Sequence, residues 1–369
     1  MRKDNSDNNA FASDASNWLD SIPDAHRARW IDRHLIARLP GSEPPWRSTG
    51  VRIAAGGHYS VFAQGRVHWS ARDPALYGGP RFHLWARVVP GGRIVNLTQD
   101  TGSFKADVAG EIELGIYMGM WRDEYGTLAT GPELYARLQG HLDVLLIAWR
   151  EDPMQALPSL IRVDAAPWFV ANEIARLAAP ITSPAGWRYL VETGHADIFT
   201  EARDASGKRL IKLDSRDDQG IICTPLDRAL TPSTRISWRW RVTAQPSVVA
   251  EDTVRTHDYI SIAAEFDNGR DLTWIWSATL APEHHFHCPV KAWTARETHF
   301  VVRTGTEHLG QWCAEVRNIY DDVAAAMGPP PQRIVRIWLI GVSSFQHGVA
   351  SAEFADIALH DAAGRRPAN

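Results

Sequence analysis

The sequence predicts an all-β protein, built as two tandem β-sandwich (jelly-roll-like) domains with an N-terminal helix and a few short helices. Three observations lead there. A chain of 369 residues holds about two domains at roughly 150 residues each. Two long stretches, 46–150 and 185–362, are made of short apolar segments cut by Gly, Pro and Asp turns, which is sandwich punctuation. With 44% hydrophobic and 22% charged residues, the composition is that of a folded globular chain.

Taken in order, the first 13 or so residues are rich in Asp, Asn and Ser and read as a disordered leader. From Asp24 to Leu39 the apolar residues Trp30, Ile31, Leu35 and Leu39 recur at helical spacing before Pro40-Gly41, which predicts one amphipathic helix and closes a first segment, 1–45. Strands of a first sandwich follow in GVRIAAGGHYSVFAQGRVHW, FHLWARVV, IVNL, EIELGIYM and HLDVLLIAW, with turns at Gly56-Gly57, Gly91-Gly92 and Ala109-Gly110. Residues 151–184 mix prolines with one short helical pattern (Phe169, Ile174, Leu177) and read as a linker. The second sandwich alternates clearly in RISWRWRV, DLTWIWSATL, THFVVR and RIVRIWLIGV. Within it, Val316, Ile319, Tyr320, Val323 and Met327 share a helical face, Arg317 and Asp321 form an i,i+4 pair, and Gly328 with three prolines ends the helix.

Charge excludes one class of function. Lys and Arg total 39 against 43 Asp and Glu, a net charge of -4, so no basic footprint for nucleic acid exists. No run approaches about 18 apolar residues, and no membrane span is expected. Cys223, Cys288 and Cys313 stand far apart without a C-x-x-C pair, which suits a reducing cytoplasm and signals no thiolate zinc site. Trp, at 16, outnumbers Phe at 11 and Tyr at 8, and such large rings are used for packing or for ligand contact.

Two resemblances add to this. Residues 46–150 resemble the β-sandwich of bacterial galactose-binding PA-I-type lectins, through W46-RSTG-V51, Gly65-Arg66, LWARV-x-x-GG with Thr101-Gly-Ser-Phe104, and GMWRDEYGTL ahead of LQGHLDVLLIAW. Those lectins hold sugar through calcium. Asp123 matches their Asp, but Arg137, Leu138 and Gln139 stand where carboxamide ligands belong, so calcium-dependent binding is not expected. Residues 186–360 resemble the bacterial family called domain of unknown function 3047 (DUF3047), through GWR at 186–188, ISWRWRV, Asp258-Tyr259, Glu265-Phe266, LTWIWS, Trp312 followed by RNIYDD, IWLIGV and Ala355-Asp-Ile357. The resemblance implies a jelly-roll-like sandwich and no particular reaction. Where the family tends to carry two acids, this chain has His257-Asp258.

The candidate site residues lie in the second sandwich. In RISWRWRV, Trp238 and Trp240 share one strand face while Arg239 and Arg241 share the other. The Arg forks are either a solvated outer face or a clamp for an anion or polyol. Trp274 and Trp276 form a further aromatic pair, either core or a stacking surface. His285 and His287 share a face in HHFHCP, the one arrangement suited to a metal; no third ligand follows at the needed spacing, so no cofactor is expected. Asp258, at a strand start, reads as a turn cap or as a site carboxylate, with His257 beside it. Arg336 lies in a strand apolar on both faces and needs a partner, for which Asp258, Glu265, Asp321 and Asp322 are candidates. His347 follows in the polar loop SSFQH.

Together these predict a cytoplasmic catabolic enzyme doing cofactor-free acid/base chemistry, as a lyase, hydratase or hydrolase, on a hydroxylated hydrophobic or sugar-like small molecule. Asp258 or His285 would serve as base, His287 or His347 as acid, and Arg239 or Arg336 would hold developing negative charge. The alternatives are a non-catalytic carbohydrate- or hydrophobic-ligand-binding protein, and an assembly protein whose Trp-rich faces bury in a homo-oligomer.

Overall fold

The computed structural model describes residues 10–118, 120–161, 166–361 and 364–367. It divides into two units, Met1–Ile181 and Thr182–Asn369. Most of the regular structure is strand, and each unit packs two main sheets. Among the described residues no helix is long and apolar enough to cross a membrane.

Unit 1 runs α1 (Ala10–Ser21), α2 (Asp24–Trp30), β1 (Ile31–Pro40), β2 (Arg47–Ile53), β3 (His58–His68), β4 (Tyr77–Gly78), α3 (Pro80–His83), β5 (Leu84–Val89), β6 (Val95–Asn96), β7 (Thr101–Lys105), β8 (Gly110–Ile116), β9 (Gln139–Trp149), α4 (Pro153–Ser159) and α5 (Trp168–Ala178). One sheet has the order β1-β9-β3-β4, with β7 also on β3, and the other β2-β8-β5-β6. The run HLDVLLIAW explains the layering, because a strand apolar at consecutive positions must be covered on both faces. Leu142, Val144, Leu146 and Ala148 join the core shared with Val88, Ile112 and Leu114 of the second sheet. Leu145, Ile147 and Trp149 point the other way, into a cluster with Phe11, Trp18, Leu157 and Phe169 from α1, α4 and α5.

That second layer corrects three expectations. The leader gives way to helix at Ala10, with Phe11, Ala15, Trp18 and Leu19 buried. The helix expected over 24–39 stops at Trp30, and Ile31–Pro40 is a strand on β9. Leu35 and Leu39, four apart, fit one face of a strand as well as of a helix, and the ladder offered by β9 decides it, with a bulge after Ile31 turning that residue to the opposite face. The supposed linker, 151–184, also falls in unit 1 as far as Ile181. Phe169 of α5 packs edge-on against Phe62 at 5.5 Å and Trp18 at 5.8 Å. Beside it, the buried Glu173 accepts hydrogen bonds from Thr101 Oγ1 at 2.8 Å and Arg176 Nε at 2.8 Å, tying α5 to β7.

Unit 2 runs β10 (Arg188–Tyr189), β11 (Phe199–Arg203), β12 (Arg209–Arg216), β13 (Gln219–Ala229), β14 (Arg235–Ala244), β15 (Ile260–Phe266), β16 (Asp271–Ser277), β17 (His285–His287), β18 (Glu297–Thr304), β19 (Cys313–Asn318), α6 (Ile319–Met327), β20 (Arg333–Val342), β21 (Val349–Asp361) and β22 (Gly364–Pro367). A seven-stranded sheet, β10-β13-β20-β15-β16-β18-β17, faces a six-stranded one, β11-β12-β21-β14-β19 with β22 also on β21. Between them lies a core that includes Ile236, Trp238, Trp240, Trp274, Trp276, Leu339 and Phe354. The helix expected from Val316 begins later, at Ile319, capped by Asn318 Oδ1, which accepts from the backbone N–H of Tyr320 at 3.2 Å. Val316 is on strand β19 and 66% exposed. Arg317 pairs with Asp322 at 2.6 Å and Glu283 at 2.7 Å rather than with Asp321.

The seven-stranded sheet has an unusual joint. β16 and β18 run parallel while its other pairs are antiparallel. A parallel pair needs a crossover, and here residues 278–296 supply it, passing over the sheet's outer face and contributing Leu280, Phe286 and Trp293 to a second apolar cluster with Ile275, Val301 and Trp338.

Candidate functional site

The outer face of the seven-stranded sheet carries polar side chains in ranks, because residues in register across strands point the same way. One rank is Arg336, Glu265, Asp271 and Glu297, paired across β20, β15, β16 and β18. The next is Trp338, Ala263, Thr273 and His299. Glu265, Asp271, Thr273, Glu297 and His299 are all buried. Burying carboxylates and imidazoles costs several kcal/mol unless they are paired, so a fold that merely needed a stable sheet would place Val or Ile there.

The pairing is uneven. Glu265 is fully used, accepting from Arg336 Nη2 at 2.7 Å, Arg296 Nη2 at 3.3 Å and Trp338 Nε1 at 3.2 Å. Asp271 is not. Its Oδ2 accepts from Thr273 Oγ1 at 3.0 Å, while Oδ1 has no hydrogen bond and lies 3.8 Å from Arg296 Nε, which has none either. Ser261 Oγ and both ring nitrogens of His299, on the same face, are also buried without hydrogen bonds. Burial pushes the Asp271 carboxyl well above the usual carboxylate range, and the neighbouring Glu297 carboxylate adds to the effect. Above Arg296 sit two indoles, its guanidinium lying 5.0 Å from the Trp293 ring and 5.1 Å from the Trp338 ring.

At the crossover end of the face, His257, Cys288, Glu297 and His299 converge, with their ligand-type atoms all within 4.8 Å of one another. His257 Nδ1 donates to the Glu251 carbonyl at 2.7 Å, which leaves Nε2 as the bare nitrogen, 3.2 Å from Cys288 Sγ. Glu297 Oε1 accepts from Tyr259 Oη at 2.9 Å, and its Oε2 lies 3.4 Å from His299 Nε2. Burial holds the His257 imidazole neutral, down at about 3, with His299 as a further cause. The Cys288 thiol is pushed up by burial and then by Glu297.

Of the candidate site residues read from the sequence, His257 alone joins this cluster; Cys288, named there only as one of three separate cysteines without a C-x-x-C pair, joins it too. Asp258 points elsewhere, both oxygens taken by the backbone N–H groups of Phe345 at 2.9 Å and Gln346 at 2.7 Å. Burial raises it to about 6 against the pull of those donors. It anchors the loop after β20. His347 lies in that loop against Asp217, Nδ1 to Oδ1 2.6 Å. His285 and His287 are exposed on β17, so they offer no enclosed metal site, and His287 Nδ1 is 3.3 Å from Thr298 Oγ1. Arg336 is held by Glu265.

Arg239 and Arg241 sit on the outer face of the six-stranded sheet, paired with Asp356 and Glu353 and lying over the Trp312 ring at 5.0 and 5.3 Å. Trp238, Trp240, Trp274 and Trp276 fill the core between the sheets, so the expected stacking surface is instead packing. Asp123, in unit 1, accepts from the N–H groups of Tyr125 at 2.9 Å and Thr127 at 3.1 Å within its own turn.

Sequence reasoning missed Glu297 and His299. The signal was present, since alternation in ETHFVV puts both on one face with Val301. What singles them out, Cys288 and His257 arriving from distant loops, has no local trace.

The family model described as "Protein of unknown function (DUF3047)" matches residues 196–358. No curated protein matches the chain. Among solved structures, the EclA N-terminal domain, titled a PllA-like lectin, is 15% identical, covers 33% of this chain and 98% of its own, and superposes with a TM-score of 0.24. The xyloglucanase domain of NopAA, a type three effector from Sinorhizobium fredii in complex with cellobiose, is 7% identical over 48% of this chain and 95% of its own, with a TM-score of 0.31. Superpositions this loose carry no argument about what this chain does.

Proposed function

We propose that unit 2 is an acid–base enzyme of the lyase, hydratase or hydrolase kind, acting on a hydroxylated, sugar-like small molecule over the outer face of the seven-stranded sheet. The observation that carries this reading is the Asp271 Oδ1 and Arg296 Nε pair, buried, 3.8 Å apart and without hydrogen bonds. Buried polar atoms in folded proteins are nearly always satisfied, and a cluster of exceptions calls for a partner such as a water, an ion or a ligand. A substrate oxygen beside this pair, rather than between its two atoms, would reach both the N–H donor and the carboxyl oxygen at hydrogen-bond distance. Arg296 would hold negative charge developing on that oxygen, and Asp271 would move its proton. Trp293, partly exposed beside Arg296, offers a ring on which a sugar face can stack. Entry requires the part of the crossover around Trp293, after Cys288, to move aside, as segments over active sites commonly do. The three cysteines, all buried and free, support a reducing, cytoplasmic setting.

The test is thermal unfolding of the whole protein against sugars, sugar acids and hydroxylated terpenoid or aromatic compounds, followed by a turnover assay on whichever class raises the midpoint. Asp271→Asn should abolish turnover and leave the melting temperature within a few degrees. Full turnover in Asp271→Asn would sink the reading. A ligand that stabilises the protein and is returned unchanged would make unit 2 a binding module.

A further inference from the structure

We infer that His257, Cys288, Glu297 and His299 together bind one divalent transition-metal ion, with zinc the best match. This goes beyond the acid–base reading and does not depend on it.

Three features separate the cluster from ordinary buried polar packing. The first is spacing. Zinc bonds of about 2.0–2.3 Å to nitrogen, oxygen and sulfur put tetrahedral ligands roughly 3.3–3.8 Å apart. His257 Nε2 and Cys288 Sγ are 3.2 Å apart, and His299 Nε2 and Glu297 Oε2 3.4 Å. All four ligand-type atoms lie within 4.8 Å of one another, about an ångström wider than a bound ion would hold them.

The second feature is the direction of the lone pairs. His257 is locked by the Glu251 carbonyl in the tautomer that aims its unprotonated Nε2 at the centre. Glu297 is held on one oxygen by Tyr259 Oη, leaving the other inward. Such outer contacts are what orient the ligands of metal sites. The third feature is His299 itself, which is 0% exposed and has neither ring nitrogen hydrogen-bonded. Glu297 Oε2 lies 3.4 Å from Nε2 and makes no well-formed hydrogen bond to it. A buried imidazole so poorly satisfied is costly, and a metal bond to Nε2 removes part of that cost.

Chemistry of the set favours zinc. Two imidazoles, one thiolate and one carboxylate form a mixed N/S/O shell of the kind that zinc accepts, whereas calcium and magnesium want oxygens alone. Binding displaces the Cys288 proton to solvent, so Zn²⁺ with one thiolate and one carboxylate leaves the buried site formally neutral. All four positions are supplied by protein and buried, the pattern of a structural site. The ion would pin the loop before β15 and the end of β17 to β18, and it takes no part in the proton transfer proposed above.

The test needs no substrate. The full-length protein, purified without added metal, should contain close to one zinc per chain by mass spectrometry of the elements. After chelation and reloading with Co²⁺, it should show a thiolate-to-cobalt band in the near ultraviolet and tetrahedral bands in the visible. Cys288→Ser should remove the thiolate band, and Cys313→Ser should keep it. Tyr259→Phe should keep the stoichiometry and weaken binding roughly 10- to 100-fold, as loss of an outer partner does elsewhere. If Cys288→Ser does not fold, metal content and cobalt spectrum of the unaltered protein still decide. Zinc absent as purified, together with no thiolate band after cobalt loading, overturns the inference. So does a band that survives Cys288→Ser. Metal present with Asp271→Asn fully active would leave this inference standing and remove only the acid–base reading.

Discussion

At the scale of single residues, the sharpest consequences come from polar groups sealed away from water. His83 in unit 1 is fully buried, its Nδ1 donating to the Tyr117 carbonyl at 2.7 Å and its Nε2 accepting from Trp69 Nε1 at 2.9 Å. Burial lowers it from 6.5 to about 4. The unfolded chain therefore takes up this proton first as pH falls, and stability that is complete above about 6.5 drains away between there and 4, by about 3 kcal/mol in all. Denaturant titrations of unit 1's unfolding at pH 7 and 4.5 should show the loss, and His83→Gln should flatten that part of the slope; an unchanged slope would refute the assignment. Asp258 makes a different prediction, because its two backbone contacts hold the loop after β20. Asp258→Ala should cost roughly 3 kcal/mol by leaving two amides without their charged acceptor, read as a lower denaturation midpoint with the slope unchanged. A variant as stable as the parent would mean that the loop anchors itself some other way.

At the scale of elements, α5 is the clearest case of tertiary context deciding an ambiguous stretch. Phe169, Ile174 and Leu177 announce a short amphipathic helix, but its partner is a strand face known only once β9 is seen to be apolar on both sides. Phe169→Ala should therefore cost about 3–5 kcal/mol, as truncating a buried aromatic does, whereas a helix in a mere linker would lose almost nothing. Scanning calorimetry separates the two. The cap of α6 is a smaller version of the same test: Asn318→Ala should cost about 1 kcal/mol. RISWRWRV was legible because alternation is a local property, and the structure keeps its pattern; DLTWIWS forms its strand too, but all seven residues are buried because the sheet is covered on both faces there. The Ile31–Pro40 strand was not, since the spacing of Leu35 and Leu39 satisfies both periods and the bulge after Ile31 has no local trace. Sorting the tryptophans needed the third dimension too, because alternation says which four share faces and not which faces meet each other. The site was least legible of all, its ranks being made by register between strands far apart in sequence.

For the whole molecule, the division into Met1–Ile181 and Thr182–Asn369 comes with separate cores, since no apolar cluster among the described residues draws on both units. Residues 182–369 expressed alone should then unfold in one cooperative transition, with near-ultraviolet dichroism carrying the buried tryptophan signal of Trp238, Trp240, Trp274 and Trp338. A molten fragment without that signal would show that its core is incomplete. The two-sandwich architecture itself was readable from turn spacing, because sandwiches repeat their punctuation. Its helical layer was not, because helices that cover a sheet leave no mark in the strand pattern beyond an overlong apolar run. One consequence of the parallel joint between β16 and β18 remains. The ladder on either side of it fixes Asp271, Glu297 and His299 from below, while residues 278–296 cover them from above without belonging to the seven-stranded frame except at His285–His287. Floor and roof thus come from different stretches of chain, yet Cys288 and Arg296 of the roof meet Glu297, His299 and Asp271 of the floor. A change in the length of the roof would move Arg296 off Asp271 and Cys288 off Glu297 and His299, so the two stretches are bound to vary together.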